Sequence, residues 1–148
     1  MGEILRGVLF AMIGAVGFAL LFGVRKEKVA FAAVGGGIVW AVYLLCRTYL
    51  TDEILLCSLC AAAAGTAYCE LFARILRTPA TVLLIPSMIP LVPGGSLYYA
   101  MSAVFRSDRD SAAVFGMETL KFAVGIAAGI TLITVISRPL NYLTRRRR

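Results

Sequence analysis

The chain has 148 residues, 60% of them hydrophobic and only 16% charged, with a net charge of +7 and a mean hydropathy of +0.87. A soluble domain of this length cannot bury so much apolar surface, so lipid is the solvent for most of the chain. The positive charge sits in short loops and a terminal arginine run rather than on one basic module, which excludes a nucleic-acid partner.

Charge-poor stretches predict an all-α, polytopic membrane bundle of five transmembrane helices in one domain, residues 1–148, with spans at about 4–24, 28–46, 54–76, 79–104 and 117–138. The first span ends in Arg25, Lys26, Glu27 and Lys28 instead of a small-residue cleavage site, so it is read as retained. Spans three and four are long enough to tilt or bend. In this topology Arg25, Lys26, Lys28, Arg74, Arg77, Arg138 and Arg145 to Arg148 share one side. On the other side Arg6, Arg47, Arg106, Arg109 and Lys121 are diluted by acidic residues. The positive-inside bias then places this protein in the cell membrane with its N-terminus outside and its C-terminus cytoplasmic, the last arginines anchoring it at anionic head groups.

Small residues recur every four positions along the first span (Gly7, Ala11, Ala15, Ala19, Gly23) and the third (Cys57, Ala61, Gly65, Cys69, Ala73). Ala33, Gly37 and Ala41 continue the pattern in the second span, Gly125 and Gly129 in the fifth. Lipid gives helices no hydrophobic reason to associate, so such stripes are read as seams of close packing, within the chain or with a neighbour. Cys46, Cys57, Cys60 and Cys69 all fall in apolar spans. Cys57 and Cys60 have C-x-x-C spacing, but there is no second such pair and no histidine, so they are read as structural and no metal or cofactor is expected.

The fourth span, "TPATVLLIPSMIPLVPGGSLYYAMSAVF", carries the strongest signal. Thr78 and Pro79 suit an N-cap and a first-turn proline. Pro86, Pro90 and Pro93 each remove a ladder donor and clash with the carbonyl four residues back, and Gly94 and Gly95 add backbone freedom. The expectation is two half-helices, about 79–85 and 96–104, separated by irregular backbone near the bilayer midplane. Unsatisfied peptide groups cost several kcal/mol in hydrocarbon, so such backbone persists only in a protein-lined or watery cavity. Secondary transporters use this device. The N–H groups of Ser96 to Tyr99 could receive a carboxylate and the carbonyls of Ser87 to Val92 an ammonium group, with Tyr98 and Tyr99 lining the cavity. That suits a small amino acid or organic acid. Among the charged residues, Glu70 is the carboxylate best placed for proton coupling, with Arg74 one turn on, and Lys121 lies deep enough to anchor at the interface or line the pathway.

The segment from Arg77 to Met101, above all "RTPAT" and "PLVPG" with Tyr98, resembles the threonine/serine exporter family. Span count and length are similar to the stand-alone five-span type that corresponds to the C-terminal half of full-length exporters. The chain departs from many relatives in having Ser87 and Met88 where they place a glycine. The resemblance implies a subunit for proton-coupled export of small amino acids, or of organic acids as in related split systems. It also implies a second multi-span membrane subunit as partner. A structural or assembly subunit with no substrate path is the alternative. An intramembrane enzyme is disfavoured, because no histidine can form a Ser-His or Cys-His pair.

Overall fold

The computed structural model describes residues 2–145, and side chains within 2–137 except that of Glu3; the Arg145–Arg148 side chains, read above as an anchor, lie outside these. The described residues form α1 (Gly2–Leu21), α2 (Lys26–Tyr49), α3 (Ile54–Ile75), α4 (Ala80–Met88), a single 3-10 turn (Ile89–Leu91), α5 (Gly94–Phe105) and α6 (Arg109–Arg145). Four stretches are long and apolar enough to cross a membrane: Ile4–Leu21, Lys26–Tyr49, Ile54–Ile75 and Arg109–Ser137. A further pair, Ala80–Leu91 and Gly94–Phe105, passes the same test jointly and is bent by 53°.

Three helices end in the same way. Beyond α1, Val24 N–H reaches Ala19 C=O (2.9 Å) and Gly23 N–H reaches Leu20 C=O (3.1 Å), with Gly23 at φ +68. This is the paired closure that a left-handed residue makes possible. Arg77 (φ 48) closes α3 and Ser107 (φ 59) closes α5 by the same bonds, Thr78 N–H to Ala73 C=O and Asp108 N–H to Ala103 C=O, both 3.0 Å. A side chain in that conformation costs about 1–2 kcal/mol that glycine would not.

The last helix starts earlier than the sequence suggests. "FRSDRDSAAVFG" reads as the longest loop, but only Arg106–Asp108 is non-helical. The cause is a cap: Ser111 N–H donates to Asp108 Oδ1 at 3.1 Å, and Asp110 sits in the first turn. Those Ser111 bonds hold the Asp108 carboxyl below the usual carboxylate range.

Small residues decide the packing. A Cβ added to Gly36 would meet the Ala15 methyl at 2.7 Å, and one added to Gly37 would meet Met12 at 2.9 Å, closing α1 on α2. One on Gly65 would strike Val39 and Met88, and one on Gly129 would meet Leu59 C=O at 2.6 Å and Ala63 N at 2.9 Å. The stripes Ala11/Ala15/Ala19 and Cys57/Ala61/Gly65/Cys69/Ala73 are buried throughout, and the helices they face belong to this same chain. Gly23, the last of the first stripe, is instead exposed in the turn.

Facing residues give each helix its direction. Gly7 faces Trp40 while Gly36 faces Ala15, and Phe31 meets Phe72 while Val39 meets Gly65, so α1–α2 and α2–α3 are antiparallel. Between α3 and α6 the numbers rise together: Glu53 with Lys121, Leu55 and Ser58 with Gly125, Leu59 with Gly129. These two helices are parallel, so the chain between them runs back along the length of the bundle.

Candidate functional site

That return is made by α4, the 3-10 turn and α5. The sequence placed Thr78 as the N-cap, but Thr78 N–H is used in closing α3; Pro79 is the cap residue of α4 and no side chain caps it. The helix then runs through Pro86, contrary to the expected end at residue 85, and winding continues as a 3-10 turn through Pro90. One proline removes one rung of the ladder, and the fixed φ of proline is itself helical, so neighbouring bonds hold the winding when packing supports it. Only Val92 (φ -63, ψ 126) and Pro93 (φ -77, ψ 55) leave the helical region. The irregular segment is therefore two residues rather than about ten.

Packing support comes from Ser87. Its Oγ is fully buried, 2.7 Å from Leu83 C=O on its own helix and 3.0 Å from Ala32 C=O on α2, so its one proton is shared between two carbonyls. A Cβ at Gly35 would fall on that oxygen. One residue earlier on α2, Phe31 C=O accepts from Tyr68 Oη at 3.1 Å. Two hydroxyls, Tyr68 from α3 and Ser87 from α4, thus bond adjacent residues of α2, and the second ties α4 to it. Tyr68 and Gly35 were missed from sequence. The signal was the triplet Gly35-Gly36-Gly37, whose residues face α4 and α1 in turn.

The residues proposed from sequence separate into distinct environments. Pro86 and Ser87 are buried. Pro90 sits 3.6 Å from the space above Gly36 and borders a notch of about 240 Å³ with Gly7, Phe10 and Trp40. Pro93 and Ser96 are half-buried at the bend. Gly94 and Gly95 are exposed, with nothing within 4 Å of an added Cβ. At the start of α5, Gly94 N–H bonds Val92 C=O (2.8 Å) and Leu97 N–H bonds Pro93 C=O (3.0 Å), while among the described residues Gly95 and Ser96 N–H find no acceptor. Of the Ser96 to Tyr99 set expected from sequence, Ser96 is a free donor and Leu97 is not, while Gly95, just before the set, is the second. Tyr98 (68% exposed) meets Tyr99 edge-on, and Tyr99 leans on Phe115 of α6 at 5.4 Å.

The charged candidates lie away from the bend. Glu70 pairs with Arg74 at 3.7 Å beside a pocket of about 200 Å³ shared with Thr78, at the end where α3 gives way to α4. Lys121 bonds Glu53 at 3.2 Å at the opposite end, so its observed partner comes from before α3 rather than from its own helix. Cys57 Sγ–H donates to Thr51 C=O at 3.2 Å, Cys60 is exposed, all four cysteines are free, and no metal-binding group occurs among the described residues.

Four membrane-length apolar helices around a bent fifth element define an α-helical, multi-pass membrane protein. Residues 7–136 match the family described as Threonine/Serine exporter, ThrE, and with most of its length matched the chain belongs to that family of membrane exporters. No curated protein and no solved structure matches it.

Proposed function

We propose that this protein is a subunit of a secondary transporter that exports threonine, serine or a small organic acid, with residues 79–104 as a broken fourth span of five. The parallel setting of α3 and α6 supports five crossings, since a re-entrant loop would return to the side it left. Two arms of ~18 Å bent by 53° reach roughly 32 Å, close to the ~30 Å of a hydrocarbon core. A bend near mid-depth is supported by its neighbours: Leu91 shares a cluster with Val39 in the middle of α2, and Met88 touches Gly65 in the middle of α3.

The observation that carries the reading is the pair of N–H donors at Gly95 and Ser96 that find no acceptor among the described residues, at the exposed foot of α5. Hydrocarbon cannot satisfy them, and a half-helix N-terminus favours a carboxylate. Gly94 and Gly95 are exposed, with open space where a Cβ would stand, so the reading includes a second multi-span subunit, or a second copy, that completes the cavity. Transport then proceeds by alternating access about the bend, driven by protons through Glu70, with the C-terminus in the cytoplasm. The outward direction of Gly94, Gly95, Tyr98 and Tyr99 also favours the rival reading, an assembly subunit whose bend only seats a partner.

Gly94→Leu separates the two. Nothing lies within 4 Å of a Cβ there and the backbone is not left-handed, so the variant folds. With the partner subunit present, the transporter reading expects efflux of labelled serine or threonine to fall at least ~10-fold at unchanged membrane abundance. Undiminished efflux overturns it, and loss of partner co-purification supports the assembly role.

A further inference from the structure

At the end of the bundle away from Lys121, the α1–α2 turn and the start of α4 enclose a trough of about 410 Å³. Its polar lining is Arg25, Lys28, Thr78 and Thr81. Its remaining wall is apolar, running along Phe22, Val82 and Ile85. We propose that this trough holds an anionic phospholipid, its phosphate between Arg25 and Lys28 and its acyl chain along the apolar wall.

No carboxylate lines the trough, and neither Arg25 nor Lys28 enters an ion pair among the described residues, whose pairs are Glu70–Arg74 and Glu53–Lys121. Two helices begin at it, α2 at Lys26 and α4 at Ala80, and neither start is capped by a side chain. Two others, α1 and α3, end beside it with their terminal carbonyls bonded in the turns, so the charge at the trough is that of Arg25 and Lys28. Thr78 and Thr81 supply hydroxyl donors of the kind that bind phosphate oxygens.

The same lining discriminates among anions. A zwitterionic amino acid would leave its ammonium among cations with no acid to meet it. Free phosphate would leave the apolar wall uncovered. Phe22 and Ile85 are 55% and 52% exposed, an apolar surface beside the cations that an acyl chain would cover. A basic pocket between helices at a membrane surface is a known way to hold anionic lipid.

The test uses full-length protein purified in neutral detergent, followed by native mass spectrometry and thermal unfolding. Phosphatidylglycerol is expected to remain bound and to raise Tm by about 5 °C near saturation. Phosphatidylcholine, inorganic phosphate and serine should do neither. Arg25→Gln with Lys28→Gln should weaken phosphatidylglycerol binding ~30-fold, at ~1 kcal/mol per cation. Arg106→Gln with Arg109→Gln, which removes two cations elsewhere, should leave it intact. Equal gains from phosphatidylcholine, an equal gain from phosphate alone, or undiminished binding by the Arg25/Lys28 variant each overturn the proposal. Lipid counts by mass are independent of Tm and decide the matter if the variant is itself less stable.

Discussion

The two arms of the bent element have similar lengths and opposite surroundings. In α4 and its 3-10 turn, Leu83, Pro86, Ser87, Met88 and Leu91 are buried against α1, α2 and α3. In α5 only Ala103 is buried, and its main neighbour is α6. The first arm is part of this chain's core. The second is a bracket on α6 whose other faces meet whatever surrounds the protein. Proline content does not explain the difference, because the better-packed arm holds more prolines. What distinguishes them is the matching surface: glycines at 35, 36 and 65 open a seat for α4, whereas those at 94 and 95 face open space.

The largest test of this contrast exchanges glycine for leucine on each side. Gly35→Leu drives a side chain into Ser87 of α4, and is expected to cost about 3 kcal/mol in denaturant unfolding. Gly95→Leu should leave unfolding unchanged. Equal losses would mean that α5 is seated as firmly as α4. A finer test removes one hydroxyl from each arm. Ser87→Ala leaves Leu83 and Ala32 carbonyls without that donor and should cost about 1 kcal/mol. Ser96→Ala, whose side chain makes no protein bond among the described residues, should cost nothing measurable.

The smallest expected effect probes the exit from α5. Asp108 has a lowered folded-state pKa because Ser111 donates to its carboxylate. A depressed acid pKa adds stability above the unfolded-state value and loses it as pH falls through the folded-state value. Asp108→Ala should therefore lower Tm slightly at neutral pH. The gap to wild type should close as pH drops through and below the ordinary aspartate range. A gap that persists below that range would refute the cap.

Much of this contrast was legible in residue order, and the part that was not has a physical reason. Apolar runs located every long helix, because lipid tolerates no charge in their middles. Four-residue stripes of small side chains named the seams, because only close backbone approach holds helices together in lipid. Pro86 and Pro90 misled, because their rings were read as opening the chain around them. The cost of a proline is local, and the bond from Ser87 together with the room at Gly35 and Gly36 lets helix persist there. Ser87 enters the sequence reading through its backbone carbonyl, whereas its hydroxyl has the visible role, donating to Ala32 and Leu83. Pairing of Lys121 with Glu53 lay beyond reach, since it depends on which helices run side by side.

The parallel placement of α3 beside α6 bears on how the protein is made. Neither arm of the bent element alone is long enough to be stably threaded across a bilayer as it leaves the ribosome. Residues 94–105 find their main support only in a helix synthesised after them. Support for the second arm comes from downstream, and a chain stopped before residue 109 would keep the seat of α4 but have no wall for α5 to rest on.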